Sequence, residues 1–171
     1  QYMDVHGPYL PGDGFTYQNK FRAEKLWRKA AVNAPESIKS DEHDELWENY
    51  LKEVRYLDRE IGSFLDTLSD QGDLKNTAVV IVGDHGDEFA EHGLYGHGNL
   101  PYDELTHVPL IMRFPNPSPI EQPAEIDTLV RTIDILPTML DITDADLSDE
   151  MEHRMQGESL RPVIAGSDPS Y

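Results

Sequence analysis

The sequence predicts an α/β fold, and three patterns predict it. Four consecutive apolar residues, Val79 to Val82, read as a buried strand that breaks at Gly83. Upstream, Leu46, Tyr50, Val54, Leu57, Ile61, Leu65 and Leu68 recur at spacings of three and four, the stripe of an amphipathic helix. Downstream, His107-Val-Pro-Leu-Ile-Met-Arg-Phe114 reads as another buried strand. Alternation of strand, helix and loop implies helices layered on a sheet.

The elements follow in order. Residues Gln1 to Gly14 are rich in Gly, Pro and aromatics and read as a strand end entering a structured loop. Lys20, Arg22, Lys25, Arg28 and Lys29 mark a short helix on a surface loop. The long helix runs from Asp41 to Ser69, roughly 40 Å if unbroken. Asp41, Glu42, Asp44 and Glu45 open it at the positive end of the dipole, and Gln71-Gly72 stops it. A strand from Thr77 to Val82 comes next, then a loop of about two dozen residues, a length that usually signals function. After the strand at His107 to Phe114, Pro115, Pro117 and Pro119 interrupt pairing. Ile126 to Val130 reads as a short edge strand and Thr132 to Asp141 as a helix. An acidic stretch from Asp144 to Glu152 precedes the turn Gln156-Gly-Glu-Ser-Leu160 and a last short helix.

Composition narrows the function. A chain of 171 residues, 38% hydrophobic, holds one domain or part of a larger one. The 33 acidic residues against 14 basic ones give a formal charge of −19, so nucleic acid is a poor partner. The acid is spread along the chain, and only six of the basic residues are lysines, a balance of the salt-adapted, haloarchaeal type. With no cysteine there is no disulfide, thiolate metal site or cysteine nucleophile within the chain. No apolar run approaches the ~18 residues of a membrane span, and no signal peptide is visible, which leans towards a cytoplasmic location. The chain starts at Gln1 inside a patterned segment, so an N-terminal part is expected to precede it.

The chemistry concentrates after the first apolar strand. Asp84 and His85 sit side by side at its carboxyl end, the edge where open α/β sheets bind ligands. Carboxylate and imidazole suit a hard or borderline divalent cation. Taken alone, Asp-His-Gly equally describes a turn in which Asp84 caps a helix and His85 is solvated. The long loop and a second histidine cluster, Glu91-His-Gly-Leu-Tyr-Gly-His-Gly98, favour a metal site. Elsewhere the bland reading leads. His92 faces solvent or lines the pocket, His107 makes a structural hydrogen bond, and Asp58 makes a buried contact to a loop. Tyr102 and Glu104 fix the loop, Asp134 caps a helix, and His43 and His153 are solvated.

Several segments together resemble the sulfatase family of the alkaline phosphatase superfamily. They are Tyr2-Met-Asp-Val-His-Gly-Pro-Tyr9, Tyr56-Leu-Asp-Arg-Glu-Ile-Gly62, Val80-Ile-Val-Gly-Asp-His-Gly86, Glu91-His-Gly93 and Gly96-His-Gly98. Tyr102-Asp-Glu-Leu-Thr-His-Val-Pro-Leu-Ile111, Thr132-Ile-Asp-Ile-Leu-Pro-Thr138 and Gln156-Gly-Glu-Ser-Leu160 continue the pattern. The resemblance implies an alkaline-phosphatase-like layered fold with a mostly parallel central sheet flanked by helices, of which residues 1–171 are the C-terminal part. It implies metal-dependent hydrolysis of small-molecule or glycan sulfate esters. Asp84 and His85 match metal ligands, and His6 matches a histidine near the leaving oxygen. His97 stands where many sulfatases have a lysine that holds the sulfate. That change, and the occurrence of His at the position of His85 in phosphohydrolase relatives, keeps phosphate or phosphonate esters open as substrates. The implied cofactors are a divalent cation, Ca²⁺ first and Mg²⁺ or Mn²⁺ as alternatives, and a formylglycine made from a Cys- or Ser-x-Pro-x-Arg motif. That motif does not occur here, so the piece alone is expected to be inactive, either part of a complete enzyme or a truncated non-catalytic product.

Overall fold

The computed structural model describes residues 5–10, 12, 16–33, 35–98, 100–115, 125–145 and 148–166. The strand end expected at Gln1, and Pro117, Ser118 and Pro119, lie outside them. The chain divides into two compact units, Gln1–Arg113 and Phe114–Tyr171.

In the first unit the basic cluster forms α1, Tyr17–Arg28, longer than the short helix expected and prolonged by a π-turn over Lys29–Asn33. Thr16 caps it by accepting the Asn19 N–H at 3.3 Å, and Lys25 and Arg28 meet the negative end of its dipole. The long helix, α2, is Ser40–Gln71. Glu42 in its first turn accepts the Lys39 N–H at 3.0 Å and the Lys29 ammonium at 2.6 Å. Gly72 ends α2 at φ 83°, a left-handed conformation that glycine adopts without strain. The apolar stripe of α2 is used unevenly. Leu46 is buried with Asn49 and Glu53, whereas Leu57, Ile61, Leu65 and Leu68 remain half-buried.

After a 3₁₀ turn at Asp73–Asn76, β1, Val79–Val82, begins two residues later than Thr77. The hairpin strands β2, Glu88–Phe89, and β3, Tyr95–Gly96, come next, then the short helix α3, Asp103–Thr106, and β4, Leu110–Arg113. β1 pairs with β4 antiparallel, Val79 opposite Arg113 and Val82 opposite Leu110. The Arg113 guanidinium closes this end by donating to the Leu74 carbonyl at 2.7 Å and the Thr77 carbonyl at 3.2 Å. Both ladders among the described residues are two-stranded and antiparallel, so no parallel pair is seen there. The reason is the connection. A parallel neighbour needs a crossover back to the starting edge, usually a helix of some length, whereas loop 83–109 carries only four-residue α3 and returns alongside. Nor are these strands buried on both faces, since Val82 is 40% and Ile111 57% exposed.

The core of this unit is aromatic. Tyr9, Leu26, Ala30, Leu46, Phe89 and Tyr95 are buried together, with Trp27 and Tyr50 packed on them. Tyr9 is central: its ring lies 5.0 Å from Trp27, 5.4 Å from Tyr50 and 5.5 Å from Phe89, offset and edge-on geometries favoured by aromatic quadrupoles.

In the second unit, a 3₁₀ turn at Thr132–Asp134 leads into α4, Ile135–Ile142, followed by α5, Asp149–Arg154, and α6, Arg161–Ile164. No strand forms over 126–130: Leu129 is 81% exposed, and a lone segment without a ladder partner gains nothing from being extended. Asp134 is fully buried and accepts the Arg131 N–H at 2.9 Å, the Arg131 guanidinium at 2.9 Å and the Glu158 N–H at 3.0 Å. Thr138 accepts the Leu160 N–H at 2.8 Å, so α4 and segment 157–160 are stitched by buried polar groups. Among the described residues no helix is long and apolar enough to cross a membrane.

Candidate functional site

Two loops of the first unit meet above the aromatic core. One follows β1. Gly83 donates to the Pro109 carbonyl at 3.1 Å and Gly86 to the Leu105 carbonyl at 2.9 Å, which ties the loop to α3. A Cβ on Gly86 would stand 2.0 Å from the Glu104 carbonyl oxygen, so only glycine lets the chain pass. That pinch holds His85 and Asp87 on either side of it. The hairpin then turns on Glu88, whose buried carboxylate accepts the N–H groups of His92 at 2.7 Å and Leu94 at 3.2 Å. Phe89 and Tyr95, at the base of the hairpin, drop into the core, and His97 emerges two residues after Tyr95.

The other loop carries His6. Tyr9 anchors it from below, and buried Glu53 on α2 anchors it from the side by accepting the N–H groups of His6, at 3.3 Å, and Leu10. Two backbone donors on one buried carboxylate fix this turn as a unit.

The result is a cluster of three histidines. Ring centroids are 3.9 Å apart for His85 and His97, 5.1 Å for His6 and His97, and 6.2 Å for His6 and His85. One nitrogen from each lies within 4.8 Å of the others. Each Nδ1 has a partner: the Gly7 carbonyl at 2.7 Å for His6, the Gly86 carbonyl at 2.9 Å for His85, and Asp87 Oδ1 at 2.7 Å for His97. With Nδ1 donating, Nε2 is the ring nitrogen left to face the site, accepting or ligating in a neutral ring and donating in a protonated one. Asp87 is itself held, its second oxygen accepting the Tyr9 hydroxyl at 2.6 Å, and only 4% of its side chain is exposed. Burial, then the negative charge of Asp87, raises the Tyr9 phenol far above its ordinary value, so it stays an O–H donor. Asp84 differs. Its side chain is 80% exposed, with Oδ1 accepting the His85 N–H at 3.1 Å and lying 3.9 Å from His85 Nε2.

Of the four residues singled out, His6, His85 and His97 therefore converge from positions far apart in sequence, and Asp84 borders them with its carboxylate in solvent. Other expectations are revised. Asp58 is exposed. The α2 carboxylate that reaches a loop is Glu53, which shares a face with Leu46, Asn49 and Tyr50. His43 is not simply solvated: its Nδ1 is 3.0 Å from the Tyr95 hydroxyl. His92 stacks on Tyr102 at 3.6 Å, and the His107 side chain is exposed. Sequence reasoning missed Asp87, Glu88 and Glu53. The signal for the first two was present, since a pair of carboxylates directly before Phe89 must enter the core with it and needs donors there.

Known proteins share this arrangement of segments. The family model described as Sulfatase matches residues 1–145. An endo-4-O-sulfatase of Bacteroides thetaiotaomicron is 32% identical over 115 residues, 67% of this chain and 22% of that protein. Among solved structures, a phosphonate monoester hydrolase from Silicibacter pomeroyi superposes with TM-score 0.63 at 29% identity, covering 81% of this chain and 26% of that one. A 2-O GAG sulfatase superposes with TM-score 0.69 at 25% identity, covering 85% and 31%. The chain thus spans about a fifth of the length of the curated relative it matches. A family match over so much of the chain, together with these superpositions, places the protein in the sulfatase family.

Proposed function

We propose that the complete protein hydrolyses sulfate esters of small molecules or glycans, and that this chain supplies the C-terminal portion of its catalytic domain. The observation that carries the reading is the convergence of His6, His85 and His97 beside Asp84 at the carboxyl end of β1. In this reading the chain belongs to an alkaline-phosphatase-like layered fold with a mostly parallel central sheet. The family generally uses a divalent cation and a formylglycine nucleophile. Neither a cysteine nor a Ser-x-Pro-x-Arg motif occurs in residues 1–171, so in this reading another part of the protein supplies the nucleophile and the chain alone does not turn over.

The donor set fits a cation. Asp84 offers solvent-facing carboxylate oxygens and His85 a ring nitrogen with a free lone pair, an O,N pair suited to Ca²⁺, Mg²⁺ or Mn²⁺. When bound, the ion supplies positive charge for the ester's oxygens. The chain's own side chains do the rest. His6 and His97 present ring N–H groups to the anionic group, and His6 is the proton donor at the leaving oxygen. Asp87 fixes the tilt of the His97 ring. Turnover of aryl sulfate by the complete enzyme, with metal content measured in parallel, tests the reading. Asp84→Ala should abolish activity. Unchanged turnover at unchanged metal content would rule Asp84 out.

A second reading has its own support. His97 stands where the sulfatase resemblance puts a lysine, and a phosphonate monoester hydrolase superposes with TM-score 0.63. Comparison of kcat/KM for aryl sulfate, phosphate and phosphonate monoesters decides between the classes.

A further inference from the structure

We propose that the cleft between α1 and the His6 turn is a sugar subsite, which takes a neutral pyranose of the leaving group and makes the substrate a glycan sulfate. The proposal deepens the reading above and rests on it for His6 as the proton donor at the leaving oxygen. With that role, the leaving group extends on the side of His6.

The cleft adjoins the histidines. It has a volume of about 600 Å³, within the ~300–1,000 Å³ usual for small-molecule sites, and is lined by Pro8, Glu24, Trp27, Arg28 and Val32. Pro8 lies two residues beyond His6, in the turn that Glu53 holds. Trp27 links the cleft to both histidine loops. Its benzene ring lies against Gly7 and Gly96, the chain neighbours of His6 and His97. A Cβ added to Gly7 would stand 2.2 Å from Cζ2, and one added to Gly96 3.1 Å from Cη2. Tyr9, with its ring 5.0 Å away, backs Trp27 from the core.

The polar groups select the ligand. Glu24, Trp27 and Arg28 are spaced three and four apart, so they share a face of α1. Basic residues on the face towards α2 are engaged, Arg22 with Glu45 and Lys29 with Glu42. Glu24 and Arg28 are one turn apart, yet among the described residues neither has an ion-pair partner, and both are exposed. A carboxylate only accepts hydrogen bonds and a guanidinium only donates them. An anionic ligand group would satisfy Arg28 and be repelled by Glu24, and a cationic one would do the reverse. The phenyl ring of an aryl sulfate offers neither of them a partner. Sugar hydroxyls donate and accept, so one pyranose satisfies Glu24 and Arg28 together while its C–H face covers Trp27 and Val32.

The test uses the complete enzyme. Sulfated hexoses, hexosamines and uronates are compared with 4-nitrophenyl sulfate, and the readout is kcat/KM for the best sugar sulfate divided by that for the aryl ester. The wild type should favour a hexose or hexosamine sulfate. E24Q and R28Q should each lower the ratio roughly tenfold or more, the worth of one charge-assisted hydrogen bond. K25Q, exposed on α1 but outside the cleft, should leave the ratio unchanged, which separates local contacts from the general charge of the helix. A wild-type preference for the aryl ester, a ratio unmoved in E24Q and R28Q, or an equal effect of K25Q would overturn the subsite and leave the hydrolase reading intact. Preference for a uronate would overturn the neutral sugar. No turnover of either ester would be a failure of the hydrolase reading, and calorimetry then decides the subsite. The Kd of the same sugar sulfates should rise roughly tenfold in R28Q, and an unchanged Kd or no binding would overturn the proposal.

Discussion

Asp87 shows how one residue organises a site without touching what the site binds. Its two oxygens take the His97 ring and the Tyr9 hydroxyl, linking a surface imidazole to the aromatic core. Tyr9→Phe keeps the ring and removes only the donor, so the buried carboxylate loses one partner. We expect a loss of roughly 1–3 kcal/mol in stability, read by urea unfolding, because an unsatisfied buried acceptor carries its desolvation cost. No loss would mean that water replaces the phenol. Glu53 plays the parallel part for His6. Glu53→Gln keeps one acceptor oxygen but gives up the charge, so the His6 turn should loosen. Hydrogen exchange at the His6 and Leu10 amides should accelerate at least tenfold, and unchanged protection would show that Tyr9 alone holds the turn.

Elements set the distances between these residues. The hairpin β2–β3 is short, so its position depends on the pinch at Gly86 and on Phe89 and Tyr95 in the core. Gly86→Ala should push the loop from the Glu104 carbonyl and lower stability by several kcal/mol, with His85 and His97 losing their mutual ring contact in NMR spectra. Spectra unchanged in the folded variant would refute that account. In the second unit, burial pushes the Asp134 carboxyl up. The Arg131 guanidinium and the N–H groups of Glu158 and Arg131 outweigh it and hold the group below its ordinary value of 3.8. A carboxylate depressed by folding adds stability at pH above that ordinary value, and the contribution is lost as pH falls through the lower folded value. Ser159, against some burial cost and with help from Arg161, depresses Asp141 in the same sense. Unfolding followed around α4 should therefore show stability declining as pH drops below 3.8, and Asp134→Asn should flatten that decline. A wild-type profile without slope in that window would contradict the assignment.

At the scale of the whole molecule, the dominant quantity is charge. A formal −19 spread along 171 residues makes carboxylate repulsion a general tax on the folded state. Raising ionic strength from 0.1 M to 1 M shortens the Debye length from ~10 Å to ~3 Å and should relieve it. Thermal melts across a KCl series should show Tm rising with salt. A flat or falling Tm would refute salt adaptation.

The sequence by itself determined the periodic elements and their caps. α2, its stop at Gly72, the apolar cores of β1 and β4 and the turn before α6 were legible because hydrophobic spacing and glycine signals are local. Asp84, His85, His6 and His97 could be named from sequence because their segments carry a specific family pattern. Only the tertiary structure decided the rest. Whether β1 met β4 parallel or antiparallel depended on the route of loop 83–109, and the edge strand over 126–130 lacked a partner that no local pattern could supply. Glu53 was invisible for the same reason: it read as an ordinary charge among 33 acidic residues until packing buried it against the His6 turn. Asp87 and Glu88 carried a signal beside Phe89, but only the fold gave Asp87 its donor from Tyr9. Burial and long-range hydrogen bonding are properties of chain segments brought together, and sequence spacing does not encode them.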